Sequence, residues 1–302
     1  MALGNLHEAS AAGTEDLYYV DVGMYETPAY GLVYILDAER PAIVDTGTGF
    51  HYETVLDAMR TVGTEPEDLE VIAPTHVHLD HAGGAGLLAE ECPNADVCIY
   101  EAGARFLIDP TRIWEGTKEI MEDRIKYYVE PKPIPEERVV ELADGDTVDL
   151  GDHALDVHHA PGHAFHQAVF FDPANDGIFT ADAAGINSPH LDGIIHTSPP
   201  TGFDLEGCLA DVEMLQDLDP AALYYAHFGD RETGTLLAEY ADVLQEWVDR
   251  IAEKREELND DDAVVEYFAD RARTVEVWGE AHAREEERMN ARGVLHYLDE
   301  QS

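Results

Sequence analysis

Residues 75–84 read Thr-His-Val-His-Leu-Asp-His-Ala-Gly-Gly, which places His76, His78, Asp80 and His81 within six positions. Left unpaired in a protein interior, such a set is costly. Imidazole and carboxylate are also the donors that borderline divalent metals prefer. On an extended or turning backbone residues 76 and 78 point to one side. Residues 80 and 81, turning into a helix, can face a second position, so the spacing suits two ions better than one. Two divalent ions roughly 3.5–4 Å apart can share a water, lower its pKa and polarise a carbonyl. The chemistry to expect is metal-dependent hydrolysis with no serine or cysteine nucleophile, and no GxSxG elbow occurs in the chain.

These residues need a scaffold, and the surrounding chain supplies short apolar runs separated by turns. Strands are expected over 17–22, 31–36, 42–44, 71–73, 97–100, 138–142, 147–150, 154–158, 168–171, 177–180 and 222–225. Helical spacing is expected over 85–91, 101–130 and 205–218. The histidine cluster directly follows the strand at 71–73. The stretch 185–203, with its prolines and glycines and no clear period, reads as a covering loop. Beyond it, Leu236, Tyr240, Val243, Leu244, Trp247 and Ile251 form an amphipathic stripe. A break at 259–262 precedes a second helical stretch over 263–289.

Four further landmarks stand at strand ends or turns: Val44-Asp45-Thr46-Gly47, Ala160-Pro161-Gly162-His163, Phe179-Thr180-Ala181-Asp182 and Ala226-His227-Phe228-Gly229. Together with the HxHxDH motif and its Gly-Gly, and in this order, they resemble the metallo-β-lactamase-fold superfamily over about residues 17 to 230. The full set of histidines with the aspartate resembles its glyoxalase II and lactonase side. The resemblance implies an α+β, four-layer αββα fold with a helical C-terminal extension. It also implies a catalytic domain over 1–231 and a helical subdomain over 232–302 packed on it. Position by position, it implies that His76, His78 and His163 hold one metal and Asp80, His81 and His227 a second. Asp182 would bridge them, with a hydroxide between the ions, and Asp80 could accept a hydrogen bond from it. Asp45 would orient a ligand histidine from behind. The activity implied is cleavage of a thioester, ester or lactone. An iron-dependent redox enzyme such as a persulfide dioxygenase and a non-catalytic metal-binding signalling protein are the alternatives. Zinc is the expected metal, with iron or manganese allowed by the same donors.

Other histidines are assigned by their surroundings. His166, three residues after His163, could reach the pocket, and His190 and His196 in the covering loop could contact substrate. His153, His158 and His159 flank a strand and read as structural or solvated. Ile186, Ile194, Ile195 and Phe203 would suit an uncharged acyl group. The tail offers Arg271, Arg273, Arg284, Arg288 and Arg292 among many acids.

Composition bounds the setting. The chain has 302 residues, 18 Lys+Arg against 64 Asp+Glu, a net charge of −46 and 45% hydrophobic residues. Acidity on a foldable, lysine-poor chain resembles the proteins of extreme halophiles, in which molar salt screens the self-repulsion. The same charge argues against nucleic acid or an anionic membrane as partner. No apolar run is long enough for a transmembrane helix. The first fifteen residues lack a signal-peptide pattern, and three cysteines without a CxxC fit a reducing compartment. A small-molecule substrate and a cytoplasmic location are therefore expected. The Trp247 stripe could bury against the main domain or in a homodimer.

Overall fold

The computed structural model of the chain describes residues 2–191, 193–200 and 202–301, so positions 192 and 201 of the covering loop lie outside the described residues. The first half runs β1 (Leu6–Glu8), β2 (Leu17–Asp21), β3 (Leu32–Leu36), β4 (Ala42–Val44), α1 (Tyr52–Val62), β5 (Val71–Ala73), α2 (Leu79–Ala82), α3 (Ala85–Glu91), β6 (Asp96–Tyr100), α4 (Glu101–Ile108), α5 (Thr111–Met121) and β7 (Val139–Leu142). Then follow β8 (Thr147–Asp149), β9 (Ala154–His159), β10 (Ala168–Asp172), β11 (Gly177–Ala181), α6 (Leu205–Leu218), β12 (Ala222–Tyr225) and β13 (Gly229–Glu232). The tail forms α7 (Leu236–Leu258), α8 (Asp261–Ala269), α9 (Val275–Trp278) and α10 (Glu280–Glu300). The fold is thus mixed α and β, with two sheets and a helical C-terminal region.

The chain divides into two compact units. The first comprises 1–159, 166–181 and 220–232; the second comprises 160–165, 182–219 and 233–302. Both sheets belong to the first. One is seven-stranded in the order β1 to β7, antiparallel as far as β4 and parallel from β4 to β7; the other is six-stranded in the order β13-β12-β11-β10-β9-β8, with β11 and β12 parallel.

Alternation along the strands explains the layering of this first unit. Val33, Ile35, Ile43, Ile72, Val97 and Ile99 pack with Val55, Leu56, Met59 and Leu88 of α1 and α3. The intervening Tyr34, Leu36, Val44, Val71, Ala73 and Cys98 pack with Leu155, Val157, Phe170, Phe179 and Tyr224 of the second sheet. A sheet covered on both faces needs apolar residues on both faces, so β3 to β5 read as continuous hydrophobic runs. Helix, sheet and sheet therefore form three successive layers. Three elements lie outside the sequence expectation. β1 carries only one leucine in three residues, β13 is the polar run Gly-Asp-Arg-Glu, and α1, eleven residues long, rests on the helical spacing of Val55, Leu56 and Met59. The helical stretch expected over 101–130 is interrupted at Asp109–Pro110, because proline cannot continue a helix from the preceding turn. The stretch expected over 263–289 is three helices, and α10 continues to Glu300.

In the second unit the Trp247 stripe is an internal seam. Tyr240, Leu244, Trp247, Val248 and Ile251 of α7 are buried, as are Phe268 of α8 and Val294 of α10. The Trp247 indole stacks on His196 at 3.9 Å between centroids, meets Phe268 edge-on at 5.1 Å, and donates to Ser198 Oγ at 3.1 Å.

Candidate functional site

In the first unit the chemistry-bearing residues stand just past the C-terminal ends of strands, where α/β sheets open their crevices. Asp45 follows β4, Thr75 to Asp80 follow β5, and His227 lies two residues past β12. Beyond β5, Val77 turns into the apolar layer with α1 and α3. This alternation leaves His76 and His78 on the other side, with His76 Nε2 3.0 Å from His78 Nδ1. The chain then turns into α2, which carries Asp80 and His81.

Asp45 organises the cluster. It is buried, and its φ of +60 turns the chain into a left-handed conformation that aspartate tolerates better than most residues. Its Oδ1 accepts hydrogen bonds from Thr75 N and Thr75 Oγ1, both at 2.8 Å, and its Oδ2 lies 2.8 Å from His81 Nδ1. Thr46 anchors the same histidine by its backbone, donating from N and Oγ1 to the His81 carbonyl at 2.6 and 2.7 Å. The Gly83-Gly84 pair is needed for this approach, since a Cβ on Gly84 would stand 2.4 Å from the Thr46 carbonyl oxygen.

His227 is held in the same manner: its Nδ1 donates to the Tyr30 carbonyl, and the Tyr30 ring lies 4.8 Å from its own. With Nδ1 so engaged, each of His81 and His227 directs Nε2 elsewhere as a lone-pair donor. That is the arrangement in which a backing acceptor fixes tautomer and ring orientation for metal ligation. One donor atom from each of Asp80, His81 and His227 lies within 4.8 Å of the others. The donor set and its backing therefore fit a divalent metal. His166 joins the cluster, its ring 5.3 Å from that of His78 and 6.0 Å from that of His76.

Replacing Asp45 by asparagine keeps the shape but removes the charge that holds His81 Nδ1 protonated. Metal affinity is expected to fall about 10–100-fold, the usual cost of losing such a backing group, with the unfolding curve of the metal-free protein little changed. Unchanged affinity in a competition titration would refute the positioning role of Asp45.

The second unit carries His163 and Asp182. Their side chains are buried, and His163 Nε2 lies 3.3 Å from Asp182 Oδ2. Asp182 directly follows β11, and its backbone carbonyl accepts from Thr197 Oγ1 at 3.2 Å. The loop before His163 lies tight on α6: a Cβ on Gly162 would stand 2.1 Å from Cys208 N. Gly162 N donates to Asp211 Oδ2 at 2.8 Å.

Burial pushes the Asp211 carboxyl up to about 7 against this hydrogen bond. A carboxyl raised in the folded state favours the protonated form. It adds stability below its ordinary value near 3.8, and that stability is lost as pH rises through about 7. Asp211→Asn retains the acceptor and is expected to exceed the wild type in stability at neutral to alkaline pH by on the order of 1–2 kcal/mol. The gap should narrow as pH falls below about 7 and close only near 3.8; denaturant unfolding across that range checks this.

The remaining expected residues are placed as follows. His196 lines a cavity of the second unit, while His190 is exposed. Ile194 and Ile195 line that cavity, Ile186 bridges to Ile195, and Phe203 meets Tyr297 edge-on at 5.8 Å. His153 is structural, with Nδ1 2.9 Å from Asp172 Oδ2, and His159 stacks on Tyr100 at 4.1 Å. Cys92, Cys98 and Cys208 are free and buried, and burial pushes the Cys92 and Cys98 thiols to about 11 and about 12, which makes them inert. Sequence reasoning gave no role to Thr75, which donates to Asp45, or to the Tyr30 carbonyl, a backbone acceptor that leaves no mark on residue type.

Comparison with known proteins gives a consistent result. The family model described as Metallo-beta-lactamase superfamily matches residues 27–227. A metallo-beta-lactamase fold-containing protein, ST1585, of Sulfurisphaera tokodaii is 26% identical over 225 residues, covering 70% of this chain and 78% of the relative. The acyl-coenzyme A thioesterase MBLAC2 of Gallus gallus is 25% identical, covering 55% of this chain and 62% of the relative. An N-acyl homoserine lactonase of a Bacillus species is 24% identical, covering 60% and 65%. The chain thus spans just under two thirds of the length of the latter two. Among solved structures, that of ST1585 superposes with a TM-score of 0.66 at 21% identity, covering 96% of this chain and 98% of the other. That of TTHA1429 from Thermus thermophilus gives 0.64 at 20%, covering 90% and 89%. At these identities the structures testify to fold alone.

Proposed function

The chain belongs to the metallo-beta-lactamase superfamily, and from that premise we propose that it is a dinuclear metallohydrolase cleaving a thioester, ester or lactone bond in a small molecule. The observation that carries the reading is the pair of backed imidazoles, His81 on Asp45 and His227 on the Tyr30 carbonyl, gathered with Asp80. A thioesterase and a lactonase among the relatives support the bond class.

In this reading His76, His78 and His163 hold one divalent ion, Asp80, His81 and His227 hold the other, and Asp182 serves both. The order of the five motifs along the chain supports that assignment. When bound, such ions supply Lewis acidity and an activated water. The chain's own groups do the rest. Asp45 and the Tyr30 carbonyl engage Nδ1 of His81 and His227, which leaves Nε2 of each as the ligating atom. Asp80, with Oδ2 3.6 Å from His81 Nε2 and a quarter of its side chain exposed, is the carboxylate of the trio that substrate and water can reach. It takes up the proton that hydrolysis releases. A thiolate or alkoxide leaves without a strong protein acid, and a water nucleophile agrees with the absence of a GxSxG serine motif. Zinc is the metal we assign, in an enzyme working at molar salt in the cytoplasm.

The test is metal analysis combined with turnover of thioester, lactone and phosphodiester substrates in KCl. Two divalent ions per chain, with thioester or lactone turnover abolished by chelation and restored by zinc, is the expected result. Turnover of phosphodiesters alone, or full activity after metal removal, would overturn it. Colour and oxygen consumption would indicate redox iron instead.

A further inference from the structure

In the second unit, a cavity of about 70 Å³ opens between Leu191, residues 193–196, the middle of α7, the 271–274 connection and α10. That volume is several times what one ordered water needs. Arg250 reaches it from α7, Arg271 and Arg273 from the connection, and Thr274 and Glu287 line it. Three guanidinium groups at one cavity are conspicuous in a chain with 18 cations against 64 acids.

How Arg250 and Arg271 are held separates them from other arginines in the same unit. Arg255 pairs with Asp261 and Asp299 at 2.9 and 2.7 Å, Arg284 with Asp270 at 2.6 Å, and Arg288 with Glu266 at 2.7 Å. Arg250 and Arg271 have no carboxylate within 4.0 Å among the described residues. Arg250 lies over the Phe268 ring and Arg271 over the Tyr267 ring, at 5.4 and 3.8 Å, and Arg271 also donates to the Tyr267 carbonyl at 2.9 Å. Ring stacking holds a guanidinium in place while leaving N–H groups for an oxyanion. Thr274 is 4% exposed, and its Oγ1 has no hydrogen-bond partner among the described residues. A buried hydroxyl without a partner costs about 1–3 kcal/mol, and a ligand oxygen would relieve that cost.

We propose that this cavity is an oxyanion pocket in which Arg250, Arg271, Arg273 and Thr274 receive the phosphate group of a small molecule, with Leu191 and Ile194 against its aliphatic part. Guanidiniums arriving from two elements suit a tetrahedral group of several oxygens better than a planar carboxylate. The groups facing them agree. Glu287 is pushed up to about 7 by burial, which lessens its opposition to an anion, while His196 is pushed down to about 3 by burial and by Arg250 and Arg273 and stays uncharged. Glu246, the other carboxylate of the lining, is exposed.

The phosphate could belong to the substrate or be a free anion, and the experiment distinguishes these. Full-length protein at fixed, high KCl is titrated with inorganic phosphate by calorimetry and thermal shift, with chloride at equal ionic strength as control. Saturable binding is expected. It should weaken at least about tenfold in R250Q/R271Q and also in T274V, and be unchanged in R292Q, whose arginine lies on α10 outside the lining. Should the double variant not fold, R271Q, which alters an exposed side chain, and T274V decide. Phosphate heat no different from the chloride control, or equal binding by wild type, R271Q and T274V, would overturn the proposal. A thioester carrying a phosphate is then compared with the same thioester lacking it. A KM raised in the variants for the first alone supports a substrate phosphate; KM unchanged for both, with phosphate binding still lost, supports a free anion.

Discussion

Asp182→Ala is expected to bind fewer than two divalent ions per chain and to lose more activity than the 10–100-fold typical of a backing residue, hence more than Asp45→Asn. The carboxylate is buried with Oδ2 3.3 Å from His163 Nε2, so truncation removes the ligand we propose and the partner of that histidine. The backbone carbonyl of residue 182, which Thr197 holds, survives the change. The fold should survive with it, and circular dichroism and the unfolding midpoint should stay near wild type. Metal content by elemental analysis, read beside kcat, is the measurement. Full activity with two metals retained would refute the two-metal reading; full loss of fold would assign Asp182 a structural role instead.

Lowering the salt should have the largest effect on stability. The net charge of −46 lies on an otherwise ordinary core. Screening reaches about 3 Å at 1 M salt but about 10 Å at 0.1 M. If each excess charge costs only ~0.1 kcal/mol once unscreened, the sum approaches ~5 kcal/mol, comparable with the whole margin of a folded domain. Transfer from molar to tenth-molar KCl is therefore expected to lower Tm by on the order of 10 °C or to unfold the chain. The ion pairs of the helical tail, such as Arg255 with Asp261, are partly exposed and add little against this. Thermal unfolding across a KCl series measures it, with a neutral osmolyte as control for general exclusion effects. A Tm independent of KCl would remove the case for a high-salt setting.

Much of the fold was legible because its signals are local. β4, β5, α3, α6 and β12 have the bounds that the apolar runs imply. A sheet buried on both faces writes itself into the sequence as continuous hydrophobic strands. The edges β1 and β13 were not legible. Their residues are mostly polar, and they are strands only because β2 and β12 offer them unpaired backbone.

For the candidate site, residue type and spacing determined which donor groups are on offer: HxHxDH directly after a strand, with later histidines and aspartates at strand ends and turns, is a set that a plain core would not carry. The sequence by itself also determined the acidity, and hence the solvent in which the chain is expected to work. What only the tertiary structure decided is orientation and company. Asp45 meets His81 across 36 positions, and the Tyr30 carbonyl meets His227 across 197. Arg250 joins Arg271 and Arg273 at one cavity, beside the buried Thr274 hydroxyl, which has no partner among the described residues. Hydrogen bonds and cavities depend on distance and angle between groups far apart in the chain, and only packing of the elements brings such groups within a few ångströms.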